Sequence, residues 1–140
     1  MLGKTSVSAI RTLALLAQQD PGTCLSPRRL ALRLGESPTY LAKVARQLVK
    51  AGILEVQKGG KGGVRLRYRP EAISLLTVVA ACQPAMLAGV CPAARTTATA
   101  CSLHCAALEL QEAVTAVLGR WTIARLLEQD DEVRRGGGKS

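Results

Sequence analysis

Phenylalanine is missing from this chain, and Tyr40, Tyr68 and Trp121 are its only aromatic residues. Its core must therefore be built from Leu, Val, Ile and Ala. Histidine occurs once, as His104, with no paired-carboxylate motif and no nucleophile–base constellation beside it. Acid–base and nucleophilic catalysis need two or more such groups within hydrogen-bond reach, so no enzyme is expected. Long apolar runs are absent too. Residues 73–82 form the longest uncharged apolar stretch, about half of what a membrane-spanning helix requires. No basic region followed by an apolar run and a small-residue cleavage site opens the chain, so a cytoplasmic protein with no membrane partner is expected. Acidic residues are scarce in one half only. Residues 1–70 hold 13 Lys and Arg against 3 Asp and Glu, and residues 71–140 hold 6 against 7, together the 19 basic and 10 acidic residues of the chain. The net charge of +9 thus belongs to the first half, where a polyanion partner is expected if a groove-sized element accompanies it.

Residues 36–69 supply that element. Ser37-Pro38 opens a helix, since serine can accept from a free first-turn N–H and proline is tolerated at the first helical position. Gly52 is a natural stop. In between, Leu41, Val44, Ala45 and Leu48 fall on one face, leaving Thr39, Tyr40, Lys43, Arg46, Gln47 and Lys50 for the others. A hairpin follows, with Ile53, Leu54 and Val56 running into a glycine-rich tip at residues 57–63. In the return strand Val64, Leu66 and Tyr68 alternate with Arg65, Arg67 and Arg69. The tip is not a phosphate-binding loop, because no Gly-Lys-Ser/Thr opens a helix after it. Two helices precede this unit. Residues 7–18 carry an apolar stripe of Val7, Ile10, Leu13, Ala14 and Ala17, and Ser26-Pro27 opens a second helix with Leu30, Ala31 and Leu34 turned inward, ending at Gly35. A helix of groove-fitting size beside a basic ribbon predicts a winged helix-turn-helix.

After the wing, residues 73–81 read as a short apolar buttress helix, with Cys82 as core filler at its end. A small-residue loop then carries Cys91 towards a long helix at 101–120. Leu103, Ala107, Leu110, Val114, Val117 and Trp121 repeat there at spacings of 4, 3, 4, 3 and 4, a heptad seam suited to a dimer contact. The fold class expected is mainly α with a small β-hairpin wing: a winged helix-turn-helix over 1–70, a buttress helix, cysteine loop and dimerisation helix over 71–128, and a disordered tail over 129–140.

The cysteines number five, an odd count that argues against a disulfide framework in a reducing compartment and towards metal or redox chemistry. Cys24 reads as a small, half-buried loop residue. Cys91, Cys101, His104 and Cys105 form the one metal-ligand cluster. Cys101, His104 and Cys105 are related as i, i+3 and i+4, so they share a face at a helix N-terminus, whose partial positive charge favours anions such as the metal-binding thiolate. Spacing alone leaves iron or zinc binding, thiol redox chemistry and inert helix cysteines all open.

As a set, Ser37, Tyr40, Leu41, Leu48, Lys50, Ala51, Gly52, Ile53, Leu54, Gly59, Gly62, Gly63, Leu66, Pro70, Ile73 and Leu75 resemble the bacterial Rrf2 family, the group of IscR, NsrR, RirA and CymR. The match extends to about Leu127. It implies a homodimeric transcription regulator on a pseudo-palindromic double-stranded operator, with recognition helices in successive major grooves and wings in the minor groove. Carried onto this sequence, the base-reading positions are Ser37, Thr39, Tyr40, Ala42 and Lys43. Lys58 and Gly59 belong to the wing, Lys58 standing where the family usually has Arg. Arg28, Arg29, Arg46, Lys50, Lys61 and Arg65 are the candidates for phosphate contacts. The resemblance also implies an iron–sulfur cluster sensing redox state, iron or nitric oxide. Cys91 and Cys101 match the first and last family cysteines and His104 a fourth ligand. Arg95, Thr96 and Thr97 occupy the place of the middle cysteine, and Cys105 is its replacement. The set expected is Cys91, Cys101, Cys105 and His104 around a two-iron cluster. Two alternatives stay open: a family member without a cluster that responds by thiol oxidation, a small molecule or a protein partner, and a metal or iron–sulfur carrier that binds nucleic acid without sequence preference.

Overall fold

The computed structural model describes residues 2–60, 62–84 and 98–136, and only the backbone of 98–101. Along the chain run α1 (Lys4–Ala17), α2 (Pro27–Leu34), α3 (Pro38–Lys50), β1 (Leu54–Gln57), β2 (Gly63–Leu66), a 3-10 turn (Pro70–Ala72), α4 (Leu75–Cys82), α5 (Ala98–Arg120) and α6 (Ile123–Gly136). Both serine–proline openings act as expected. Ser26 Oγ accepts from the Arg29 N–H, and Ser37 Oγ from the Tyr40 N–H, with proline first in each helix. Gly35, left-handed at φ 69°, closes α2 and turns the chain into α3.

β1 and β2 pair antiparallel with Leu54 opposite Leu66 and Val56 opposite Val64. Leu25 adds a third, one-residue rung. Its N–H donates to Val64 O at 3.1 Å, and the Val64 N–H returns a bond to Leu25 O at 2.9 Å. This rung locks the wing to the loop before α2, and it requires glycine next door: a Cβ on Gly63 would stand 2.5 Å from the Leu25 carbonyl carbon and oxygen.

One apolar core joins all of this. Leu13, Leu30, Leu41, Leu48, Ile53 and Leu54 are buried with Ile73, Val78, Val79, Leu118 and Ile123 from beyond the wing. The core therefore crosses the boundary expected at residue 70. Backbone bonds tie the α5–α6 junction to the segment leaving the wing, from the Leu75 N–H to Trp121 O at 2.9 Å and from the Ile123 N–H to Ile73 O at 3.0 Å. Among the described residues no helix is long and apolar enough to cross a membrane.

Three expectations are corrected. α1 begins at Lys4 and buries Ser6, Ser8, Ala9, Thr12, Leu13 and Leu16, while Val7 is 42% exposed. The polar members of that face are tolerated because each is bonded: Ser6 to Gln83, Ser8 to Glu36 and Thr12 to the Ser8 carbonyl. β2 ends at Leu66, so Tyr68 lies past the strand and is 52% exposed. Residues 129–136, expected as disordered tail, continue α6 as helix; residues 137–140 lie outside the described residues.

Candidate nucleic-acid interface

α3 divides cleanly. Leu41, Val44, Ala45 and Leu48 are buried, while Thr39, Lys43, Arg46 and Lys50 are exposed. Those four follow one another at spacings of 4, 3 and 4, so they form one basic stripe on a helix about 20 Å long. Ser37 is exposed at its head, with its hydroxyl engaged as the cap, and Ala42 is half-buried beside the stripe. Tyr40 is engaged within the chain. Its hydroxyl donates to Thr5 Oγ1 at 3.2 Å and the Lys4 ammonium stands 4.8 Å over its ring, so it packs back against α1, away from the stripe.

Arg28 and Arg29 are exposed in the first turn of α2, and Arg33, which sequence reasoning passed over, is exposed in its last. The turn between α2 and α3 is pinned by Glu36. Its Oε1 accepts from Ser8 Oγ at 2.7 Å and pairs with Arg11 at 3.5 Å, while Arg11 also donates to Leu34 O at 3.2 Å. Sequence reasoning missed this clamp as well; Glu36 is the lone acidic residue between 21 and 54, which is the signal that could have found it.

On the wing, Lys58 and Gly59 are exposed, and Lys61 lies outside the described residues. Arg65 is drawn along the hairpin face, where Nε donates to Glu55 Oε2 at 3.1 Å and Nη1 to Gln57 Oε1 at 3.4 Å. Between the wing tip and the start of α2 opens a notch of 520 Å³ edged by Ser26, Arg29, Gln57, Gly60 and Gly62. Cys24, half-buried as expected, lines it and donates its thiol to Gln57 Oε1 at 3.1 Å.

The cysteine cluster is described in part. Cys91 lies outside the described residues, and Cys101 contributes a backbone position in the first turn of α5. His104 is half-buried, and its Nδ1 is buried without a hydrogen-bond partner among the described residues. A buried nitrogen left unpaired calls for a partner, a water or an ion among them, and an imidazole is a group that binds metal. Cys105, a free thiol, is exposed. No group of three or more ligand-type side chains comes together among the described residues. Cys82 is half-buried at the end of α4, and burial pushes its thiol up from the ordinary range.

The seam on α5 splits in two. Leu103, Leu110 and Val117 are 64%, 56% and 44% exposed. Ala107 is half-buried, and Val114 and Trp121 pack onto the chain's own core. The Arg125 guanidinium lies 4.2 Å from the Trp121 ring centre. Leu118, one position off the seam, is the buried anchor that the heptad reading missed.

The family profile of Rrf2, described as an iron-dependent transcriptional regulator, matches residues 2–129. The HTH-type transcriptional regulator NsrR of Geobacillus kaustophilus is 31% identical over 130 residues, 90% of this chain and 88% of that protein. The HTH-type transcriptional regulator IscR of Vibrio cholerae is 32% identical over 133 residues, 94% of this chain and 75% of that protein. Among solved structures, that of T. potens IscR superposes with a TM-score of 0.76 at 20% identity, over 95% of this chain and 90% of that one.

Proposed function

The chain belongs to the Rrf2 family and is a transcriptional regulator rather than an enzyme, and from that premise we propose that it acts in the cytoplasm as a homodimer reading a specific, pseudo-palindromic operator through α3. The observation that carries this reading is the exposed stripe of Thr39, Lys43, Arg46 and Lys50 on a helix whose other face is locked into the core. A helix of that width enters the major groove. Thr39, Ala42 and Lys43, nearest its N-terminus, read base edges with Ser37, while Arg46 and Lys50 meet phosphates. Arg28 and Arg29 reach the backbone from α2, Arg29 at the edge of the notch beneath the wing tip. The wing supplies Lys58, Gly59 and Lys61 to the minor groove, with Arg65 released from Glu55 for a further phosphate. Two copies face each other across Leu103, Ala107, Leu110 and Val117.

Cys91, Cys101, Cys105 and His104 would hold an iron–sulfur cluster of the two-iron type, which when bound supplies a centre responsive to redox state, iron or nitric oxide. The Nδ1 of His104, buried and without a partner among the described residues, supports this ligand set. The rest is done by packing. α5 rests on α4 through its last turns, where Leu118 and Gly119 lie, α4 rests on α1 and α3, and α1 on α3, a packed path from α5 to the recognition helix. A second reading, a thiol switch without a cluster, draws on the exposed, free Cys105 and on Arg95-Thr96-Thr97 in place of a cysteine.

Two measurements test the proposal. Selection from random duplex DNA should yield a site that survives excess competitor DNA; binding that collapses under competitor and salt alike would reduce the chain to a non-specific polycation. An absorption spectrum with iron and sulfide assay on anaerobically purified protein should show visible charge-transfer bands and bound sulfide. A colourless protein that stays free of iron after reconstitution would leave the thiol switch.

A further inference from the structure

The first turn of α1 grips two parts of the molecule at once. On one side the Gly3 N–H donates to Gln83 Oε1 at 2.8 Å, and the fully buried Ser6 hydroxyl donates to the same oxygen. A Cβ on Gly3 would come within 2.8 Å of Gln83 Nε2, so a larger residue there would oblige the Gln83 amide to shift. On the other side Tyr40 OH donates to Thr5 Oγ1, Lys4 stands over the Tyr40 ring, and Ser8 Oγ donates to Glu36 Oε1. Residues 3 to 8 therefore hold the end of α4 with one set of groups and the start of α3 with the other.

The place of Gln83 in the chain gives this grip a consequence. It caps α4, with its own N–H bonded to Val79 O at 2.7 Å, and it stands eight positions before Cys91 in sequence. Tyr40 and Glu36, at the receiving end, bracket the cap residue Ser37 and Thr39, the first position of the exposed stripe.

We propose that Gln83 is a positioning residue for DNA recognition: through the first turn of α1 it ties the departure point of the cysteine segment to Tyr40 and Glu36, and so sets the pose of Thr39 and Lys43. The direction of signalling rests on the reading of residues 91–105 as the sensor, whereas the tie itself does not. Tyr40 then contributes to operator affinity by holding α3, without touching a base.

The acceptor oxygen is the working atom, which separates two similar variants. Gln83→Met keeps the length of the side chain and removes the acceptor; Gln83→Glu keeps an acceptor. Gel shifts of the full chain on a duplex selected by the wild type should show affinity lowered about fivefold or more for Gln83→Met, with Gln83→Glu close to wild type. Hydrogen exchange should be faster at the Tyr40 and Leu41 amides in Gln83→Met, with the wing unaffected. Wild-type affinity and wild-type exchange in Gln83→Met would overturn the proposal. Should that variant fail to fold, Ser6→Ala removes one donor to the same oxygen, and the same two readouts decide. Stripping the metal with chelator keeps the two readings apart. If wild-type affinity does not change on stripping, the sensor reading fails, while the exchange data still judge the tie. If wild type responds and Gln83→Met does not, both stand; if both respond equally, the signal does not pass through Gln83, and the affinity and exchange data alone decide the positioning role.

Discussion

Lys43 and Lys50 share one stripe of α3 but should behave differently when removed. Lys43 projects from the second turn and Lys50 closes the helix; on the proposed reading the first faces base edges and the second the duplex backbone. Lys43→Ala should cost about 1–3 kcal/mol on the selected operator and much less on random duplex. Lys50→Ala should weaken both duplexes alike and flatten the dependence of log affinity on log salt by about one unit. Titrations at several salt concentrations check this, and equal effects of the two substitutions would mean that α3 does not enter the groove N-terminus first. The cysteines give a second residue-scale prediction. Thiolate is the reactive form, and burial pushes the Cys82 thiol up whereas Cys105 is exposed. In metal-stripped native protein, iodoacetamide should label Cys105 before Cys82, as peptide masses will show. Labelling of Cys82 ahead of Cys105 would mean that the end of α4 opens in solution.

Among the elements, α2, α3 and the hairpin were legible in the sequence because what defines them is local. Serine–proline openings, an apolar i, i+3, i+4, i+7 face and a glycine-rich tip need no distant partner, and the buried face of α3 is the one its periodicity names. α1 was less legible for the opposite reason. Ser6, Ser8 and Thr12 are buried, and the first two owe it to Gln83 and Glu36, far away in sequence, so counting apolar residues places the inner face too near Val7. The same blindness hid the packing of Tyr40 on α1, since its partner Thr5 comes from another helix. For the cysteine cluster, spacing named the candidates, but Cys91 and the Cys101 side chain lie outside the described residues. The wing offers a test at this scale. Alanine at Gly63 would drive a Cβ into the Leu25 carbonyl, and backbone on both sides cannot yield as a flexible side chain would. Gly63→Ala should lower stability by about 1–3 kcal/mol in urea denaturation, with operator binding weakened through loss of the Leu25–Val64 rung. An unchanged midpoint would show that this rung does not hold the wing.

At the scale of the whole molecule, the question is what covers α5. A monomer leaves Leu103, Leu110 and Val117 in water along one helical line, while Val114 and Trp121, on the same heptad, already rest on the core. The helix is thus anchored on one flank and bare on the other. Its lower end is fixed by the backbone bonds between residues 73–75 and 121–123. A second copy packed along the bare flank would be held at a set angle to its own recognition helix, which is what a two-fold operator with half-sites about 34–36 Å apart demands. Leu110 is the position to test, because Val114→Glu would also disturb the core that Val114 touches. Leu110→Glu places an unpaired carboxylate in the middle of the expected contact, where burying it is strongly unfavourable. Light scattering should then report a monomer, circular dichroism should keep the wild-type helix content, and affinity for a two-half-site operator should fall much further than affinity for a single half-site, since linkage of the two halves is what is lost. A dimer that survives Leu110→Glu with full operator affinity would place the subunit contact elsewhere, and the exposed leucines of α5 would then need a different partner.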